Sequence, residues 1–203
     1  MAIELHHGDL PASLDLGKIV AIDTETMGLN PHRDRLCLVQ LSSGDGNAHL
    51  VKFAPGEYDA PNLQRLLADS SVLKLFHFGR FDIAVLRHYL GVTARPVWCT
   101  KIASKLVRTY TDRHGLKELC RELLGVDLSK EQQSSDWGAP ELTEQQMAYA
   151  ASDVLHLHAL KSAFDTMLAR EGRAETAASC FSFLPTRAEL DLAGWPEIDI
   201  FAH

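Results

Sequence analysis

The chain has 203 residues, 46% hydrophobic and 23% charged, with 20 Lys and Arg against 27 Asp and Glu for a net charge of −7. These are ordinary values for one globular domain with a substantial core, and no apolar stretch approaches the length of a bilayer span. Proteins that grip long nucleic acids carry a basic surface that neutralises phosphates, so the acidic balance and the lack of a basic tract argue against a long polyanion and leave a short one open.

Residues 18–23 are a short apolar run with β-branched members and read as a central strand, with Asp23 and Glu25 at its exit. Strand alternation sends residues two apart to one side, so both carboxylates face the same way. Residues 28–34 are turn-rich and lead into a second strand at 36–41; a further turn at 44–47 leads into a third at 48–53, completing an antiparallel meander. A helix over 62–68, a buried strand over 72–76 and a helix over 80–90 closed by Gly91 follow. Asp82 falls in the first turn of that last helix, where the macrodipole favours a carboxylate. Residues 97–99 read as a short strand, with helices near 101–108 and 115–124. Thr143-Glu-Gln-Gln146 has the form of a capping box and opens a helix that is expected to run to about Arg170. Tyr149 and Asp153 lie four apart on it, one above the other. The whole chain, 1–203, is read as a single α/β domain with a mixed central sheet flanked by helices.

Asp23, Glu25, Asp82 and Asp153 carry the chemistry. Carboxylates a few ångströms apart repel and raise one another's pKa, and bound divalent metal is the usual compensation. Hard cations such as Mg²⁺ or Mn²⁺ take oxygen ligands, and four acids suit two ions. A metal pair about 3.5–4 Å apart can activate water on one side of a phosphodiester and stabilise the leaving oxygen on the other. The four cysteines (37, 99, 120 and 180) show no paired spacing, which suits free thiols in a reducing compartment. No basic region followed by an apolar run opens the chain, so the expected location is the cytoplasm.

Three motifs in order, Asp23-Thr24-Glu25-Thr26-Met27-Gly28-Leu29, His77-Phe78-Gly79-Arg80-Phe81-Asp82 and Tyr149-Ala150-Ala151-Ser152-Asp153, resemble the DEDD exonuclease family in its tyrosine-containing, ribonuclease D-like branch. The text at 114–119, 130–137 and 142–149 is similar as well. The resemblance implies a ribonuclease H-like 3′–5′ exonuclease fold. It implies that Asp23 bridges two metals, that Glu25 and Asp153 complete the ion that activates water, and that Asp82 supports the second. Tyr149 is implied to orient the attacking water. Thr26, Met27, Gly28 and Leu29 form the implied substrate seat, with Leu29 wedged between the last two bases; Met27 either joins it or plugs the core. His77 either reaches a sugar or phosphate or is a hydrogen-bonded structural histidine. The remaining histidines show no metal-ligand pattern.

The family's usual His-Asn is His77-Phe78 here, and Phe78 either stacks on a base or fills the core. The compact length and the closing apolar segment, 181–203, resemble the nanoRNase C-like oligoribonucleases, which implies 3′-to-5′ degradation of very short RNAs, dinucleotides above all, and a homo-octamer. Residues 176–203 are read as a C-terminal extension that either folds back or packs on a neighbouring subunit, the second being preferred. A ribonuclease D-type trimmer of structured RNA or a DNA exonuclease is the same-class alternative. A catalytically idle RNA-binding scaffold is disfavoured by four intact acids.

Overall fold

The computed structural model describes every residue except Met1, Lys130 and Gln133, so two positions of the 130–137 motif lie outside the described residues. In chain order the elements are β1 (Ile3–His7), β2 (Ile19–Thr26), β3 (Leu36–Ser42), β4 (Ala48–Lys52), α1 (Pro61–Ala68), β5 (Leu73–Phe76), α2 (Arg80–Leu90), β6 (Val97–Cys99) and α3 (Thr100–Val107). There follow α4 (Leu116–Leu119), which runs directly into a π-helical turn (Cys120–Leu124), then α5 (Glu144–Leu155), α6 (Leu157–Arg170) and α7 (Ala174–Leu192). Among the described residues the strands make one mixed six-stranded sheet in the order β1-β4-β3-β2-β5-β6. The meander β2-β3-β4 is antiparallel, and β2-β5-β6 run parallel.

The register decides what each face holds. Leu5 pairs with Leu50, Leu50 with Gln40, and Gln40 with Asp23, so these four side chains share one face. α5 lies across that face, with Ala150, Met147 and Tyr149 packing against Leu38 and Leu50. On the opposite face Ile22, Leu41 and Val51 join the main core with Leu63 and Leu67 of α1 and Ile83 and Leu86 of α2. The strand with the acids is longer than its apolar run suggests, so Asp23 and Glu25 lie inside β2 rather than beyond it. They still share a side.

Caps set the helix ends. Thr143 accepts from the Gln146 amide while the Gln146 side chain returns to the Thr143 N–H, the reciprocal box expected for α5. Gly91 closes α2 at φ 67°, a left-handed position that glycine takes without strain. The expected single helix from 143 to 170 is instead two, divided at His156. Its two halves serve different neighbours: α5 covers β2, β3 and β4, whereas α6 buries Leu157, Leu160, Phe164 and Leu168 toward α3, α7 and β5. A change of direction lets one amphipathic stretch satisfy both.

Two elements have no counterpart in the sequence reading. β1 adds a parallel edge strand to β4, and α7 is a long helix that contains Pro185. Proline removes one helical hydrogen bond, and the buried Ala177, Phe181, Leu184 and Ala188 hold α7 in place. Phe181 packs against Trp98 with the rings tilted by 38° and their centroids 4.9 Å apart. The end of α7 is tied to the start of α2, because Arg80 donates twice to the Asp191 carboxylate at 2.6 and 2.7 Å and Arg187 donates to it at 2.6 Å. The closing segment therefore divides: α7 buries one side within its own chain, while Trp195, Ile198, Ile200 and Phe201 stay exposed. No helix among the described residues is long and apolar enough to cross a membrane.

Because Phe181 sits in the main core, Phe181→Ala is expected to destabilise the chain by about 3–5 kcal/mol, read from urea unfolding by circular dichroism. A change within about 0.5 kcal/mol, the usual range for a surface site, would show that α7 is a loose appendage.

Candidate active site

Three elements bring the acids together. β2 supplies Asp23 and Glu25, α2 supplies Asp82 in its first turn, and α5 supplies Tyr149 and Asp153. Carboxylate oxygens of Asp23, Glu25 and Asp153 all lie within 4.8 Å of one another. Asp82 stands beside this trio rather than within it. It is only 4% exposed and accepts a 2.6 Å hydrogen bond from the Thr24 hydroxyl. Thr24 lies on the face of β2 opposite Asp23 and Glu25, so the acids converge on the strand from both faces. Asp23 also accepts from the Gln40 amide at 3.4 Å.

Among the described residues no cationic side chain pairs with the cluster. No ion pair among the described residues involves any of the four. Loss of water, then the fields of Asp82, Asp153 and Glu25, hold Asp23 well above the usual carboxylate range. Burial, then Asp153 and Asp82, push Glu25 from 4.5 to about 9. Burial lifts Asp82 to about 7 against the hydrogen bond from Thr24, and lifts Asp153 to about 7 against the one from Tyr149. Burial and the three neighbouring acids raise the Tyr149 phenol too, so it stays protonated and donates to Asp153. Converging hard oxygens that repel one another and lack a cationic partner among the described residues fit divalent metal, and Asp23, Glu25 and Asp153 could hold an ion.

The acids line a cleft of about 880 Å³ that also takes in Thr26, Met27, Gly28, Leu29, His77, Phe78 and Lys101. The turn that follows β2 is built by close contacts. The Thr26 hydroxyl donates to the Gly28 carbonyl at 2.5 Å, and a Cβ on Gly28 would meet the Asp34 carboxylate at 2.4 Å, so a larger residue would have to displace that side chain. Leu29 projects from this turn at 87% exposure; Met27 is half exposed, with its sulfur close over Gly138.

His77 and Phe78 have different settings. The Thr100 hydroxyl donates to the Phe76 carbonyl, so it accepts from His77 Nδ1–H at 2.8 Å and leaves His77 Nε2 as an acceptor. Burial, then Lys101, hold His77 down at about 3, a neutral imidazole throughout the physiological range. Phe78 does not fill the core: it is 48% exposed at the cleft with φ 62°, an outlying conformation for a bulky residue. The Lys101 ammonium sits 3.8 Å from its ring centroid. Thr24, Gln40, Thr100 and Lys101 escaped the sequence reading. Gln40 alone left a signal, as a single amide in an otherwise apolar strand with Asp23 on the neighbouring strand.

Residues 9–169 match the 3′–5′ exonuclease family. A ribonuclease D from Gluconacetobacter diazotrophicus is 36% identical over 165 residues, 81% of this chain and 42% of the relative. The chain spans about two-fifths of the length of the curated ribonucleases D it matches. Among solved structures, Brucella melitensis NrnC with bound Mg²⁺ is 59% identical with a TM-score of 0.96, each chain covered in full. Brucella melitensis NrnC bound to pGG is 60% identical with a TM-score of 0.97, covering 100% of this chain and 99% of the other. The architecture is thus the ribonuclease H-like 3′–5′ exonuclease fold of these neighbours.

Acids whose pKa is raised by folding hold more protons folded than unfolded, so stability is full below their ordinary 3.8–4.5 and falls as pH rises toward 7 and 9. Metal-free protein is therefore expected to melt at lower temperature at pH 8.5 than at pH 5.5, and saturating Mg²⁺ to remove most of the difference. Asp23→Asn should raise the metal-free melting temperature at pH 8.5, by about 2–4 °C per kcal/mol of repulsion relieved. Melting temperatures that ignore both pH and Mg²⁺ would contradict this electrostatic picture.

Proposed function

The chain belongs to the 3′–5′ exonuclease family, and we propose that it is a metal-dependent exoribonuclease that removes nucleotides from the 3′ end of very short RNAs, dinucleotides above all. The observation that carries the proposal is the trio of Asp23, Glu25 and Asp153 oxygens gathered within 4.8 Å on the wall of the cleft, with Asp82 beside it. The full-length likeness to a protein solved with pGG and with Mg²⁺ supports the substrate class and the metal.

Two divalent ions, Mg²⁺ or Mn²⁺, would supply water activation and leaving-group stabilisation when bound. The protein's part is positioning. Asp23, Glu25 and Asp153 would hold one ion, and Asp82 would help to hold the other. Thr24 fixes the Asp82 carboxylate. Tyr149, four residues before Asp153 on α5, would orient the attacking water by hydrogen bonding.

The neighbouring groups suit a terminal nucleotide. Leu29, exposed at the cleft, would enter between two bases, and the half-exposed Phe78 ring, with Lys101 over one face, would stack on a base. Neutral His77 offers Nε2 to a ribose hydroxyl, a donor, rather than to a phosphate oxygen. The exposed Phe183, Trp195, Ile198, Ile200 and Phe201 are proposed to pack on a neighbouring subunit in a homo-oligomer, octameric if the resemblance extends that far. Restricted access of that kind would favour small substrates in the cytoplasm.

Purified protein with end-labelled RNAs of graded length is expected to hydrolyse the dinucleotide fastest, slow as the chain grows, and stop on chelation. Asp23→Asn should reduce Mg²⁺-dependent turnover to background with an unchanged circular dichroism spectrum. Unchanged turnover in that variant would refute the assignment; equal rates at all lengths would leave a ribonuclease D-type trimmer. Phe78→Ala should raise KM by the loss of about 1–3 kcal/mol of stacking with a smaller change in kcat, measured on the dinucleotide.

A further inference from the structure

The N-terminal edge of the sheet holds a second cluster of metal-ligating groups. Glu4 of β1 lies directly beside His49 of β4, and His6, two residues on, shares their face. His6 Nε2 is 3.1 Å from His49 Nδ1, and Glu4 Oε2 is 3.7 Å from the same nitrogen. The two imidazoles are nearly parallel, at 15°, with ring centroids 5.4 Å apart. Only one proton fits between nitrogens this close, so one ring always presents a lone pair to the other. Both lone pairs can instead share a Lewis acid.

The spacing suits one. Four tetrahedral bonds of ~2.0–2.1 Å place neighbouring donor atoms about 3.3 Å apart, and the observed 3.1 and 3.7 Å bracket that value. We infer that Glu4, His6 and His49 form a Zn²⁺-class site, separate from the acidic cleft, that clamps the edge strand β1 to β4. Two imidazoles and one carboxylate select zinc and its first-row neighbours over Mg²⁺, which prefers oxygen. Glu4 is exposed and His6 partly so, which leaves a fourth position for water.

Sheet register keeps this site apart from the proposed catalytic one. Glu4 pairs with His49, His49 with Leu41 and Leu41 with Ile22, whereas Asp23 lies in the adjacent row on the opposite face. β4 is also two strands from β2. The clamp has a purpose in the fold, because β1 is an edge strand held by β4 on one side alone and by α5 behind it. A metal that binds the folded chain and not the unfolded one stabilises it by mass action.

The test is calorimetric titration of chelator-stripped full-length protein with Zn²⁺ in saturating Mg²⁺, in the wild-type and Asp23→Asn backgrounds, with and without His6→Gln or Glu4→Gln. One Zn²⁺ site is expected to survive Asp23→Asn and to weaken by at least ~100-fold in His6→Gln, more than the ~10–100-fold typical of an outer-shell change. Zinc should raise the melting temperature of Asp23→Asn but not of Asp23→Asn combined with His6→Gln. Mg²⁺-dependent nuclease activity of His6→Gln should equal that of wild type. Co²⁺ in place of zinc should give a tetrahedral visible spectrum that depends on His6. Zinc binding of equal stoichiometry and affinity with and without His6, or no binding in the Asp23→Asn background, would overturn the inference. Both substitutions lie on an exposed edge, and matching metal-free melting temperatures would show that they fold.

Discussion

Repulsion among carboxylates withdrawn from water is the constraint that organises this molecule. Burial pushes Asp23, Glu25, Asp82 and Asp153 each toward the neutral form in the metal-free protein, and none has an ion-pair partner among the described residues. A flexible scaffold would relax by letting them separate. Here β2 sits inside the sheet with β3 on one side and β5 on the other, α5 opens on a capping box of Thr143 and Gln146, and only residues 77–79 separate β5 from α2. The acids are held in place by elements whose stability comes from elsewhere. Thr24 makes this concrete: one hydroxyl on the far face of β2 fixes Asp82 within reach of a cluster on the near face.

That division between scaffold and site explains what was legible in the sequence. Asp23 and Glu25 could be assigned to one side because strand periodicity is two whatever the strand's ends turn out to be, and β2 did extend past its expected limit. Tyr149 and Asp153 could be paired because helical spacing is local, and the capping box marked where that helix starts. The division at His156 was not visible, since apolar periodicity continues through it and only the change of packing partner requires it. β1 was hidden because its partner, β4, is remote in sequence and Glu4, His6 and His7 dilute its apolar pattern. The fold of α7 was masked by Pro185, which ordinarily argues against a long helix and is tolerated here by core packing.

Histidines show the same limit. No spacing in the sequence joins His6 to His49, because the pairing of β1 with β4 creates their contact. His77 was readable as either structural or substrate-facing; its Nδ1 is engaged with Thr100, and the residue lines the cleft. Phe78 likewise depends on backbone geometry, since a positive φ carries its ring out to the cleft rather than into the core.

The charge balance then acquires a physical meaning for substrate length. Among the described residues lining the cleft, Lys101 and Lys117 are the lysines, set in a chain of net charge −7. A terminal nucleotide would meet apolar and aromatic side chains, Leu29 and Phe78, and an acidic pocket suited to cations. Each further nucleotide would add a phosphate, and phosphate neutralisation is where affinity for long chains originates. On the proposed function, the acidic balance of the chain is in keeping with a very short RNA, and Lys101 becomes important because it stands under the Phe78 ring, where charge and stacking would act on the same nucleotide.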